Sequence, residues 1–138
     1  YLKRLYVFDS FEGLKEDWTG HRLPKGYFDL KKKVPKLKKN ITPVVGWVED
    51  TLDKFLNEKK PEINFIHFDM DTYKSTKYTL EKVKPYLKKN SIILFDEFYN
   101  YFGWQDGEYK ALQETFKEDE FTILAFNVNH SQAVIQIK

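Results

Sequence analysis

Apolar residues come in short blocks along this chain, and each block stops at a carboxylate, a glycine or a turn residue. Leu5 to Phe8 is an apolar run ended by Asp9-Ser10, with Gly13 soon after, which is the pattern of a buried strand entering a loop. From Lys15 to Lys39 the sequence is polar and punctuated by Gly20, Pro24, Gly26 and Pro35, which predicts loops and one short irregular helix. Ile41 to Val45 reads as a second strand closed by Gly46. Val48, Leu52, Phe55 and Leu56 then follow at helical spacing, and Pro61 ends that helix. Ile63 to Phe68 is nearly all apolar, as in a strand covered by helices on both faces, and it stops at Asp69-Met70-Asp71. The next helix is predicted with Ser75 as its cap, Tyr78, Val83, Tyr86 and Leu87 inward, Pro85 at a kink and Asn90 as the stop. Ser91 to Phe95 is another apolar strand, stopped by Asp96-Glu97. An aromatic loop from Phe98 to Asp106 leads into a helix over Glu108 to Glu118, with Ala111, Leu112 and Phe116 inward. Two strands, Phe121 to Val128 and Gln132 to Ile137, then meet at the turn Asn129-His130-Ser131.

This alternation predicts an α/β fold with a mostly parallel sheet and a C-terminal antiparallel hairpin. Ligands of such sheets sit beyond the carboxyl ends of the strands, so Asp9, Gly46, Asp69, Asp71, Asp96 and Glu97 are expected to border one cleft. The length of 138 residues fits a single domain over 1–138. Lys and Arg number 23 against 21 Asp and Glu, and the interspersed charges give no electrostatic case for nucleic acid or a membrane surface. The absence of cysteine excludes a disulfide scaffold, a thiolate metal site and a cysteine nucleophile, and fits a reducing compartment. No apolar run approaches the roughly 20 residues of a membrane-spanning helix. A soluble, cytoplasmic protein is the expectation, with homo-oligomerisation left open.

The acids carry the chemistry. If the strand continues past Phe68, Asp69 and Asp71 share a face at roughly 6.6 Å, and a neighbouring strand lies about 4.8 Å away, within reach of Asp96 and Glu97. Converging carboxylates repel and hold protons unless a cation neutralises them, and an all-oxygen set suits Mg²⁺ or a similar hard ion. A single strand-end Asp more often caps a helix or faces water, whereas four together favour metal binding or catalysis.

Four ordered blocks resemble the macrocin O-methyltransferase family: Val7 to Leu14, Gly46 to Leu52, His67 to Thr76, and Ile93 to Phe98. These are class I S-adenosylmethionine-dependent methyltransferases with a Rossmann-like sheet, acting on sugar hydroxyls of natural products. The resemblance implies that Asp9 and Ser10 meet the ribose of the methyl donor, while Gly46 and Trp47 line its adenine side. It implies Asp69, Asp96 and Glu97 as ligands of Mg²⁺ or a similar divalent cation, Glu97 standing where the family pattern has Asp. Asp71 takes a supporting part, and His21 and Asp69 are the catalytic candidates, His21 as general base. His67, inside an apolar strand, reads as a core or supporting residue. The partner is then a small-molecule hydroxyl acceptor of the sugar class. Phe98 to Trp104 could wall the acceptor or pack over the cleft. The family's first strand, with its glycine-rich loop and helix, has no counterpart here, so the resemblance covers the fold from its second strand onward and predicts a gap or a re-paired edge in the sheet. Two alternatives stand beside metal-assisted O-methylation: a non-catalytic or truncated methyltransferase-like domain, and a Mg²⁺-dependent haloacid-dehalogenase-type phosphatase with Asp69 as nucleophile.

Overall fold

A computed structural model describes residues 4–18 and 20–138. Strand β1 (Leu5–Asp9) pairs in parallel with β2 (Ile41–Val45), Leu5 opposite Ile41 and Asp9 opposite Val45. The predicted helix between them is absent among the described residues. The chain there spends its backbone groups on cross-loop bonds instead. Gly13 has φ +74°, and a Cβ on it would lie 2.2 Å from the Tyr27 carbonyl oxygen, so glycine alone permits the approach. Leu14 N–H donates to that carbonyl (2.9 Å), Gly26 N–H donates to Leu14 O (2.8 Å), and Leu30 and Lys32 N–H both donate to Phe11 O. The loop is thereby folded back onto the end of β1.

Helix α1 (Val48–Lys59) buries Val48, Leu52 and Leu56. Phe55 rests edge-on against Tyr6 and Phe8 of β1, with ring centroids 4.7 and 5.1 Å away. Strand β3 (Ile63–Phe68) runs parallel to β4 (Leu87–Phe95), and β6 (Ala133–Ile137) is antiparallel to both β4 and β5 (Phe121–Phe126). The strand order β3-β4-β6-β5 forms one sheet and β1-β2 another. No ladder joins β1 to β3 among the described residues, so of the two outcomes expected at that edge the gap is the one seen. The fold is thus α/β and Rossmann-like, with the antiparallel strands at its C-terminal end.

Helices α2 (Tyr73–Val83) and α3 (Glu108–Thr115) complete the layer with α1. Leu52, Leu80 and Leu112 close over Phe68, Ile93, Phe95, Ala133 and Ile135, which alternate along their strands and so share one face. The opposite face corrects the expectation of helices on both sides of β3: Phe65 is 47% exposed and His67 is exposed. α2 begins two residues before Ser75, after an extended Thr72, and Ser75 Oγ donates to Glu49 Oε1 instead of capping. It buries Thr76, Thr79, Leu80 and Val83. Pro85 lies in a 3-10 turn, Lys84–Tyr86, that ends the helix early, so Tyr86 and Leu87 leave its face and Asn90 falls inside β4. α3 stops at Thr115 because Phe116 is extended (φ −122°, ψ 142°), and β5 stops at Phe126, where Asn127 N–H bonds Gln132 O to close the hairpin. No described helix is long and apolar enough to cross a membrane.

Candidate functional site

One cleft of about 420 Å³ lies at the carboxyl ends of β1, β2 and β3, within the size range of small-molecule sites. Asp9, Ser10, Gly46, Trp47, Asp69, Asp71 and Glu97, all singled out in the sequence, line it, whereas Asp96, expected there too, is not in the lining and reaches the site only through its contact with the neighbouring acids. Asp9 Oδ1 accepts the Phe11 N–H (2.8 Å) and Ser10 Oγ accepts the Glu12 N–H (3.1 Å), a tight turn that fixes the carboxylate at the strand end. Gly46 has φ +133°, and a Cβ there would meet Thr51 Cγ2 at 2.9 Å, so the turn that sets Trp47 ahead of α1 depends on glycine. Lys15 reaches over from the loop, 5.4 Å from the Trp47 ring centroid and 3.0 Å from Glu49 Oε2.

Asp69, Asp96 and Glu97 each offer a carboxylate oxygen, and the three oxygens lie within 4.8 Å of one another. The β3–β4 register produces this. Phe68 is opposite Phe95, and Asp96 N–H continues the ladder to Phe68 O at 3.0 Å, so both strands end level. The Asp96-Glu97 corner is held from several sides. Gln132 Nε2 donates to Asp96 Oδ1 (3.0 Å), His67 Nε2 lies 3.4 Å from the same oxygen, Ser131 Oγ donates to Asp96 O (2.7 Å), and Glu97 N–H donates to Glu108 Oε2 (3.2 Å). Asp71 does not continue the strand. It takes φ +61° in a turn, which removes it from the converging trio.

The electrostatics divide these acids. Burial, and then the Asp69 and Asp96 charges, push Asp71 up to about 6. Burial, then Glu108, push Glu97 up to about 9. Burial and the Asp96 charge also raise Asp69, and burial raises Glu108 well above the usual carboxylate range. Asp96 goes the other way: burial opposes its ionisation, but hydrogen bonds from Gln132, Glu97 and His67 outweigh that and hold it low. Asp96 is thus the firmest anion among acids whose surroundings favour the protonated form. Glu97 Oε2 and Glu108 Oε1 are buried with no hydrogen-bond partner. Converging hard oxygens with an orphaned acceptor among them fit a divalent cation.

His21 lies outside the cleft lining. Its ring stacks on Trp18, which does line the cleft, at 4.0 Å between centroids, and on Tyr101 at 4.9 Å. The aromatic loop serves mostly in packing: Phe98 is buried, Trp104 packs on Tyr109, and Tyr99 Oη donates to Asn127 O, while Phe102 is 89% exposed. Sequence reasoning missed Lys15, Glu49, Gln132 and Glu108. Glu108 left a signal, since it falls on the same helix stripe as Ala111 and Leu112, three and four residues on.

Residues 2–98 match a family model described as a methyltransferase domain. Among solved structures, the chain is similar to CalS11, a calicheamicin methyltransferase, with 24% identity over 96% of this chain and 60% of that one, at a TM-score of 0.77. An apo structure of CalS11, described as a TDP-rhamnose 3'-O-methyltransferase in calicheamicin biosynthesis, matches with 26% identity over 96% and 57%, at 0.67. The O-methyltransferase NovP matches with 17% identity over 98% and 60%, at 0.70. The chain spans 57–60% of the length of these structures. No curated protein matches its sequence.

Proposed function

The chain belongs to this methyltransferase domain family, and from that premise we propose that its cleft serves S-adenosylmethionine-dependent, divalent-metal-assisted O-methylation of a sugar or natural-product hydroxyl. The observation that carries this reading is the meeting of two sets of residues at one cleft: Asp9, Ser10, Gly46 and Trp47 line it together with Asp69 and Glu97, whose carboxylates converge with that of Asp96 behind the lining. The methyl donor supplies an electrophilic methyl group, and a hard cation supplies charge that lowers the pKa of an acceptor hydroxyl. The residues do the rest. Asp9 accepts the ribose hydroxyls, as strand-end acids do in dinucleotide folds, with its own turn occupying only Oδ1. Trp47 offers its face to the adenine, and Lys15, held by Glu49, closes that side. Asp69, Asp96 and Glu97 would hold the cation close to the residues proposed for the donor, and orientation of two reactants in one site is a large part of catalysis. Gln132 and His67 keep Asp96 aimed at that place. That no ladder joins β1 to β3 among the described residues supports reading the chain as part of a larger domain.

Asp9→Asn tests the donor wall. Asparagine keeps an oxygen for the Phe11 N–H but turns the other atom into a donor facing ribose hydroxyls. S-adenosylmethionine affinity is expected to fall roughly tenfold or more, the worth of a charge-assisted hydrogen bond. Equal affinity in equilibrium dialysis would remove Asp9 from that role.

A further inference from the structure

We propose that Glu108 is a positioning residue for the Asp96-Glu97 corner, fixing the backbone of Glu97 by accepting its N–H. The proposal rests on the reading of the cleft as a cation and acceptor site. Glu108 opens α3 and is fully buried, its Oε2 3.2 Å from Glu97 N and its Oε1 without a partner. An acid in the first turn of a helix ordinarily faces the free amides of its own helix. This one reaches eleven residues back to the loop after β4. Its helix neighbours Ala111 and Leu112 are fully buried apolar residues, so packing alone would be served by another apolar side chain. Glu108 is not among the oxygens that converge with Asp69 and Asp96, so it acts through Glu97. The corner has no other anchor at this amide: the next N–H, of Phe98, goes to Ser131 O at 2.8 Å. Partners that orient ligating residues typically govern metal affinity by 10–100-fold.

The test compares Glu108→Leu, which fills the space but removes the acceptor, with Glu108→Gln, which keeps an acceptor oxygen at the same reach. Amide hydrogen exchange read by NMR is expected to show the Glu97 N–H losing at least about tenfold protection in Glu108→Leu while Phe98 keeps its own, and near-wild-type protection of both in Glu108→Gln. Mn²⁺ binding, followed by electron paramagnetic resonance, is expected to weaken by about 10–100-fold in Glu108→Leu and by less than threefold in Glu108→Gln. Unchanged Glu97 protection in Glu108→Leu overturns the proposal, and so does Glu108→Gln losing as much as Glu108→Leu. If Glu108→Leu does not fold, Glu108→Asp, a methylene too short for the bond, takes its place with the same expectations. Wild-type protein that binds no Mn²⁺ overturns the metal reading of the cleft, while the amide measurement, which needs no metal, still decides the part played by Glu108.

Discussion

Asp96→Asn is expected to weaken Mn²⁺ binding by at least about 100-fold, more than the 10–100-fold typical of residues that merely orient a ligand. Asp96 is the acid that its surroundings keep ionised, since Gln132, Glu97 and His67 all favour its charged form while burial favours the protonated form of Asp69, Asp71 and Glu97. It is therefore the anion that a cation meets first. Asparagine retains an oxygen for Gln132 Nε2, so the corner keeps its shape and the loss reports charge rather than collapse. Asp71→Asn, outside the converging trio, is expected to cost less than tenfold in the same titration. Equal losses in the two variants would mean that the cation responds to the field of the whole cleft and not to three ligands.

The second large effect is on stability. Without added metal, the protein is expected to be less stable at pH 8 than at pH 5. An acid whose pKa is raised by folding binds its proton more tightly in the native state, so stability falls as pH climbs from its ordinary value to the raised one. For Asp71 that window runs from 3.8 to about 6, and for Glu97 from 4.5 to about 9. Asp96 has the opposite sign, but its contribution is lost only as pH falls below 3.8. Asp71 alone would contribute about 3 kcal/mol at full burial, and its partial exposure to solvent cuts this to about 1 kcal/mol. About half of the Asp71 contribution falls between pH 5 and pH 8, and with Glu97, which carries most of it, the loss over that range comes to about 3 kcal/mol, or roughly 10 °C in Tm for a domain of this size. A bound cation favours the ionised acids, so Mn²⁺ is expected to raise Tm more at pH 8 than at pH 5. Thermal scans in which Tm rises from pH 5 to pH 8 without metal would contradict the protonation pattern assigned to the cleft.

How much of this was legible in the sequence follows from where the information lay. The first three strands end where their apolar runs end, at Asp9, Gly46 and Asp69, because burial and the exit into a loop are both local signals. β4 was read too short. Its first residues, Leu87-Lys88-Lys89-Asn90, are mostly polar, and they join the strand through pairing with Ile63 and the bond from Ser91 Oγ to Ile63 O, which no local pattern shows. The pattern over Lys15–Lys39 predicts a short helix that does not form, because the hydrogen bonds from Gly26 to Leu14 and from Lys32 to Phe11 that fold this loop lie outside any local window. In the site, strand-end acids were visible as candidates, and the four sequence blocks that resemble a methyltransferase family fall within the matched residues 2–98. Membership in that family leaves no place for Asp69 as a phosphatase nucleophile. For Glu108 the helix stripe shared with Ala111 and Leu112 signals burial but not a role, since a lone acid at the start of a helix reads as a favourable first-turn charge until its partner at Glu97 is seen.

The proposed function requires one cleft to serve both the methyl donor and a cation. Calorimetric titration of the wild-type chain with S-adenosylmethionine, with and without Mg²⁺, tests that requirement. Saturable binding in both series, with an affinity that Mg²⁺ shifts, is the result expected from walls that share a cleft. An absence of binding heat in both series would contradict the account and leave the chain a methyltransferase-like domain without donor affinity.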